Sequence, residues 1–275
     1  MSGFFEALAR ESFLQHALIA GLLASLACGV IGTYVVAKRI GFVAGGIAHS
    51  VLGGMGIAYF LGASPLTGAL AAALVAALLI GWVNLRLRQN EDTIIAALWA
   101  VGMAIGVMFI SRTPGYNADL MSYLFGNILM VSRADLHLMT ALDAVTLLIV
   151  TLFSKQFLAV SFDEEFARVR GIRVEFFHLL LLCLVALTVV VLIQLVGLIL
   201  VLALLVLPAA IAAQYLARLL PIMALAVVLG MAFTCGGLAL SYAPDLPAGA
   251  SIILLAGAVY LVSLAAGRLR SRLHR

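Results

Sequence analysis

From Phe176 to Ala217 the chain runs forty-two residues without an Asp, Glu, Lys or Arg. Wound as α-helix at about 1.5 Å per residue, that stretch is about 63 Å long, roughly twice the hydrocarbon thickness of a bilayer. It is read as two membrane crossings joined with almost no loop, interrupted only by Gln194 and Gly197. A tight turn and one broken helix both fit that join. Seven other apolar runs are each near the roughly 20 residues that a crossing needs. The expected spans are 14–37, 43–61, 65–84, 93–111, 135–153, 175–194, 196–217, 221–242 and 249–267. The fold class is therefore an all-α polytopic membrane protein of nine transmembrane helices, or eight if the join is a broken helix. Charged residues make up 10% of the chain, well below the roughly 25% that covers a soluble domain. The first run has no small-residue cleavage site after it and reads as a retained helix. Cys28, Cys183 and Cys235 each stand alone in an apolar run and read as packing residues.

Lys and Arg divide unevenly between the loops. Thirteen of sixteen fall on one side: Lys38, Arg39, Arg86, Arg88, Lys155, Arg168, Arg170, Arg173, Arg218, Arg268, Arg270, Arg272 and Arg275. Only Arg10, Arg112 and Arg133 fall on the other. Cytoplasmic loops are the basic ones, so the N-terminus is expected outside and the C-terminus in the cytoplasm. That arrangement requires an odd number of crossings. Basic residues so placed set orientation and give no sign of nucleic acid. The chain reads as a single transmembrane domain over 1–275. Segment 112–134 is too polar and broken to span, and is expected to be an external half-helix or re-entrant element shielded by protein.

Residues 161–175 form the one long charged segment between spans. Asp163, Glu164 and Glu165 open it, Arg168 follows, and Gly171 can end a short helix begun by a Ser161 or Asp163 cap. Phe162, Phe166, Val169 and Ile172 give it an apolar face around Ala167. A helix lying in the lipid interface is usually basic. This one is acidic at its start, so it is read as a handle that docks a soluble cytoplasmic partner.

Within the spans, ionisable groups are few and costly. Gly46, Ser50, Gly54 and Ala58 recur every four residues, a small-residue stripe suited to close helix packing. His49 lies beside the stripe, and neutral imidazole is a good transition-metal ligand. His137, Thr140 and Asp143 recur every three residues as a drifting polar arc on the fifth span. A carboxylate at mid-membrane costs about 2.5–3.5 kcal/mol, which a cation, a donor or a water-filled cavity must offset. His49, Asp143, His137 and Thr140 are thus candidates to line a pathway, with His49 a transient metal contact. Packing or hydrogen bonding between helices is the alternative for each. Glu91-Asp92-Thr93 and Asp245-Leu-Pro-Ala-Gly249 read as helix starts and turns. No G-x-x-x-x-G-K-[ST] phosphate loop and no H-E-x-x-H motif is present, so the chain is not expected to hydrolyse ATP or act as an enzyme by itself.

Seven collinear pieces resemble the permease subunits of the ABC-3 family of zinc, manganese and iron importers. They are Gly32-Thr-Tyr-Val-Val-Ala-Lys-Arg39, Phe42 to Gly54 with His49, Glu91-Asp-Thr93, and Leu124-Phe-Gly-Asn-Ile-Leu129 with Ser132 and Asp135. The rest are Asp163 to Gly171, Val196 to Ala210, and Asp245-Leu-Pro-Ala-Gly-Ala250. The resemblance implies a fold similar to the cobalamin-importer permease. It also implies two permease copies in the plasma (inner) membrane of a prokaryote, surrounded by lipid, with two cytoplasmic ABC ATPase subunits. An external metal-binding protein would deliver a divalent metal ion that passes through and is not permanently bound. By resemblance, 163–171 is the coupling helix that contacts the ATPase. Many zinc and manganese members carry Gly-Asp before the His; here the matching pair is Ala44-Gly45, and the acid is missing. A stand-alone secondary transporter, with Asp143 and His137 as relay groups, is the competing function.

Overall fold

The computed structural model describes residues 2–87, 91–113, 126–242, 244 and 246–273. The helices are α1 (Ser2–Arg10), α2 (Ser12–Ala37), α3 (Gly41–Phe60), α4 (Pro65–Leu87), α5 (Glu91–Ser111) and α6 (Arg133–Leu152). They continue as α7 (Ser154–Phe162), α8 (Glu164–Val169), α9 (Val174–Val196), α10 (Leu198–Tyr215), α11 (Leu219–Tyr242) and α12 (Ala248–Leu273). Among the described residues, nine of these are long and apolar enough to cross a membrane: all except α1, α7 and α8. The ambiguous join therefore resolves as two crossings. α9 and α10 are separated by Gly197 alone, at φ 87° and ψ 156°. That is backbone space reserved for glycine.

Close approach through small residues organises the bundle. In α3, added methyls at Gly53 and Gly56 would stand 2.8 Å from the carbonyls of Gly102 and Gly106 on α5. Gly54 and Gly68 face each other backbone to backbone, joining α3 to α4. The stripe is thus divided: Gly46 and Ser50 meet α5, while Gly54 and Ala58 meet α4. α2 forms a second centre. Its Gly32 sits on the Leu205 carbonyl of α10, and its Ser25 shares a 3.1 Å hydrogen bond with Thr234 of α11. α9 packs against α4, α10, α3, α2 and α6, and so ties the two groups together. Backbones can approach this closely only where side chains are small; in lipid such contacts supply much of the helix association.

Two elements lie outside the expected spans. α1 packs Phe4 edge-on against Tyr242 of α11 at 5.8 Å. α7 continues from α6 after a break at Phe153 and leads directly into the charged segment. Of the external stretch, 114–125 lie outside the described residues. The part that follows holds a short 3-10 turn at Ile128–Met130, then a capping box in which Ser132 and Asp135 satisfy each other's backbone N–H. Asp245 also lies outside the described residues.

Candidate functional site

His49 lies on α3 facing α5. Its ring stacks on Trp99 with centroids 3.9 Å apart and planes 10° apart. Trp99 is held in turn by donating its indole N–H to Met103 Sδ at 3.2 Å and by the neighbouring Phe42 ring. The stack fixes the imidazole plane and leaves its edge free: neither ring nitrogen has a hydrogen-bond partner among the described residues. One turn earlier, Gly45 is buried, yet a methyl built on it would meet nothing within 4 Å. Space therefore exists where a side chain at 45 would approach His49. Below the stack, Phe42, Asp92, Thr93 and Ala96 line a cavity of about 590 Å³. Helix α5 begins at Glu91, so Asp92 and Thr93 are first-turn residues, inside the helix and beyond the cap position.

The structure does not bring the other in-span candidates to His49. Asp143 is 4% exposed on α6, a helix that packs against α2. Among the described residues its Oδ2 has no hydrogen-bond partner, and neither has Thr146 Oγ1 one turn on. His137 and Thr140 are exposed, and the Thr140 hydroxyl donates back to the Leu136 carbonyl at 2.8 Å. The drifting arc is therefore split between the surface and the interior of α6. A three-residue step falls short of a full helical turn by about 60°, so six residues carry the side chain to a different face. Among the described residues no three His, Cys, Asp or Glu gather into a metal-ligand cluster.

The charged segment is built with both ends fixed. Asp163 caps α8 by accepting from the Phe166 N–H at 2.8 Å. The other end closes on Gly171 at φ 75°, with Gly171 N–H donating to Arg168 O at 2.9 Å and Ile172 N–H to Ala167 O at 3.0 Å. This is the Schellman closure that favours glycine. Ala167 is buried and seats the helix. Glu164 turns inward to Lys38 at the end of α2, with N–O 3.0 Å. The Lys38 side chain is only 8% exposed; its ammonium also donates to the Val160 carbonyl at 3.1 Å and approaches His178 Nδ1 at 3.4 Å. Beneath α7, the rings of Tyr34, Phe157 and Phe177 form a chain from α2 through α7 to α9. Outward face Glu165, Phe162, Phe166 and Val169, with Arg170 over the Phe166 ring at 5.1 Å. Arg168 pairs with Glu175 at 3.1 Å in full solvent view, a pair worth about 0–1 kcal/mol.

Sequence reading missed the Lys38–Glu164–His178 junction because its members are 126 and 140 residues from Lys38. Lys38 looked like one orienting charge among thirteen. Trp99 carried no signal at all: an aromatic in an apolar run reads as lipid-facing. Ile172, placed on the apolar face of the handle, packs instead against the core.

Among the described residues, nine helices long and apolar enough to cross a membrane, packed through glycines, and an imidazole edge inside them without a hydrogen-bond partner are the frame of a polytopic transport permease. The chain belongs to the ABC 3 transport family, whose pattern matches residues 10–267. It is 50% identical over 253 residues to an uncharacterized membrane protein of Synechocystis, covering 92% of this chain and 90% of that one. It is 37% identical over 260 residues to a manganese transport system membrane protein of Halalkalibacterium halodurans, covering 94% and 89%. A solved structure, PsaBC from Streptococcus pneumoniae in complex with Fab, superposes with a TM-score of 0.85 at 33% identity, covering 95% of this chain and 94% of that one. The chain is thus the permease of an ABC importer, and the stand-alone carrier reading falls away.

Proposed function

We propose that the chain passes a divalent transition-metal ion inward, with manganese the first candidate and zinc and iron behind it. ATP is hydrolysed by separate cytoplasmic ABC ATPase subunits docked on α8, and an external metal-binding protein delivers the ion. Two permease copies enclose the route. Loops bearing Lys38, Lys155, Arg168 and Arg218 face the cytoplasm of a prokaryotic cell, and the N-terminus lies outside. Manganese takes precedence because relatives such as the H. halodurans protein are named for it.

The observation that carries this reading is the His49 edge: an in-span imidazole, braced by Trp99, with no hydrogen-bond partner among the described residues. An ion passing at that edge replaces the missing partner. One nitrogen ligand makes a transient stop, unlike a closed four-ligand cage. Asp143 is buried on α6, and we assign it to the interior face of the route, where a cation or water would meet the Oδ2 that has no partner among the described residues. His137 and Thr140 belong to the outer approach of the same helix. The test is uptake of radioactive manganese, zinc and iron by cells expressing the permease with its ATPase, comparing wild type with His49→Ala. Loss of uptake at unchanged protein level supports the assignment. Normal uptake by His49→Ala returns the residue to packing.

A further inference from the structure

A cleft of about 790 Å³ opens between α6, α7 and α8 on one side and the start of α11 on the other. It is separate from the His49 site. Its wall is apolar, with Tyr34, Val150, Leu158 and Met223 among the lining residues. Two cations line it: Lys155, three residues past the end of α6, and Arg218, just before α11. Both positions adjoin the ends of crossings, where hydrocarbon gives way to headgroups. Neither side chain has an ion pair or hydrogen bond among the described residues. One acid lines the cleft, Asp163, and its Oδ1 is already committed to the α8 cap.

We propose that this cleft is a binding site for an anionic phospholipid, with an acyl chain along the apolar wall and the headgroup phosphate between Lys155 and Arg218. The volume lies within the roughly 300–1,000 Å³ of sites that hold organic ligands of this bulk. Basic clefts between transmembrane helices on the cytoplasmic side are suited to anionic headgroups, and a neutral lipid gains nothing from the two charges. α11 packs chiefly on α2, α12 and α10, so the lipid fills space that no protein element bridges. Phe166 marks the rim of the cleft, beside the α8 face left to the ATPase. A soluble ATPase is the competing occupant, since Phe166 lies on the handle. Seven of the lining residues lie on the crossings α2, α6 and α11 and only Phe166 on α8, which favours a lipid chain over a protein surface.

Native mass spectrometry of the full-length permease, released from vesicles of equal phosphatidylcholine and phosphatidylglycerol, reads the site directly. Wild type is expected to retain phosphatidylglycerol. Lys155→Gln with Arg218→Gln should retain it about 30-fold less, the product of two cations each attracting an anionic lipid. Met223→Trp, which fills the wall and leaves both charges, should also lose it. Equal retention of the two lipids by wild type overturns the proposal. So does unchanged phosphatidylglycerol on the double variant together with loss of copurifying ATPase, which would give the cleft to the ATPase.

Discussion

At the scale of the residue, His49 and Gly45 form a pair whose chemistry is half complete. They are one helical turn apart on α3, and the space at Gly45 is open, at the position where the family resemblance leads one to expect an acid. Gly45→Asp is therefore expected to fold and express normally, because its side chain enters empty space. It should raise manganese uptake at limiting metal by placing a carboxylate beside the imidazole edge. Uptake curves at several metal concentrations decide this, and an unexpressed or unchanged Gly45→Asp variant would count against the geometry. Lys38 and Glu164 make a second pair, of a different kind. Glu164→Gln leaves an almost buried ammonium without its carboxylate, at a cost of about 1.5–3 kcal/mol. Thermal unfolding in detergent should show that loss. Lys38→Met removes the charge along with its partner's role and should cost less.

At the scale of the element, α8 divides its own residues by task. Asp163, Glu164, Ala167 and Gly171 build and anchor it, while Glu165, Phe166 and Val169 face outward. Phe166→Ala is expected to leave the permease folded and to weaken ATPase docking by roughly 2 kcal/mol, as for a buried aromatic anchor. Copurification of the ATPase and substrate-stimulated ATP hydrolysis would both fall. A fully coupled Phe166→Ala complex would move docking elsewhere. At the other tight junction, Gly197→Ala forces a side chain into glycine-only backbone space. A loss of about 1–3 kcal/mol is expected, read as a lower unfolding temperature. Much of this was legible in the sequence. Each span appears as an apolar run within about three residues of its observed start, because lipid leaves a helix few alternatives. The Asp163 cap and the Gly171 stop were readable because capping is local. The contacts of Lys38, the stacking of Trp99 on His49 and the inward turn of Asp143 were not. Each depends on which face of one helix meets another far along the chain, and continuous hydrophobicity erases the periodicity that would reveal a face.

At the scale of the whole molecule, burial is uneven. Within their most apolar windows α2 and α9 bury 72% of residues inside the chain, whereas α5 buries 11%. α5 is also the helix that braces His49. The second copy proposed above would therefore cover the α5 side, completing around two His49 edges a route that one chain leaves open. Mass measurement of the detergent-extracted complex with its ATPase is expected to give two permeases per particle. A transport-competent particle with one permease would rule the arrangement out. The single-residue join at Gly197 bears on how such a chain is made. With no loop between α9 and α10, and no charge from Phe176 to Ala217, nothing at the join can tell the insertion machinery which way to point. The pair must enter the bilayer together as a hairpin, oriented by Arg173 and Arg218 at its two feet. Half of it cannot be synthesised into place and await the other.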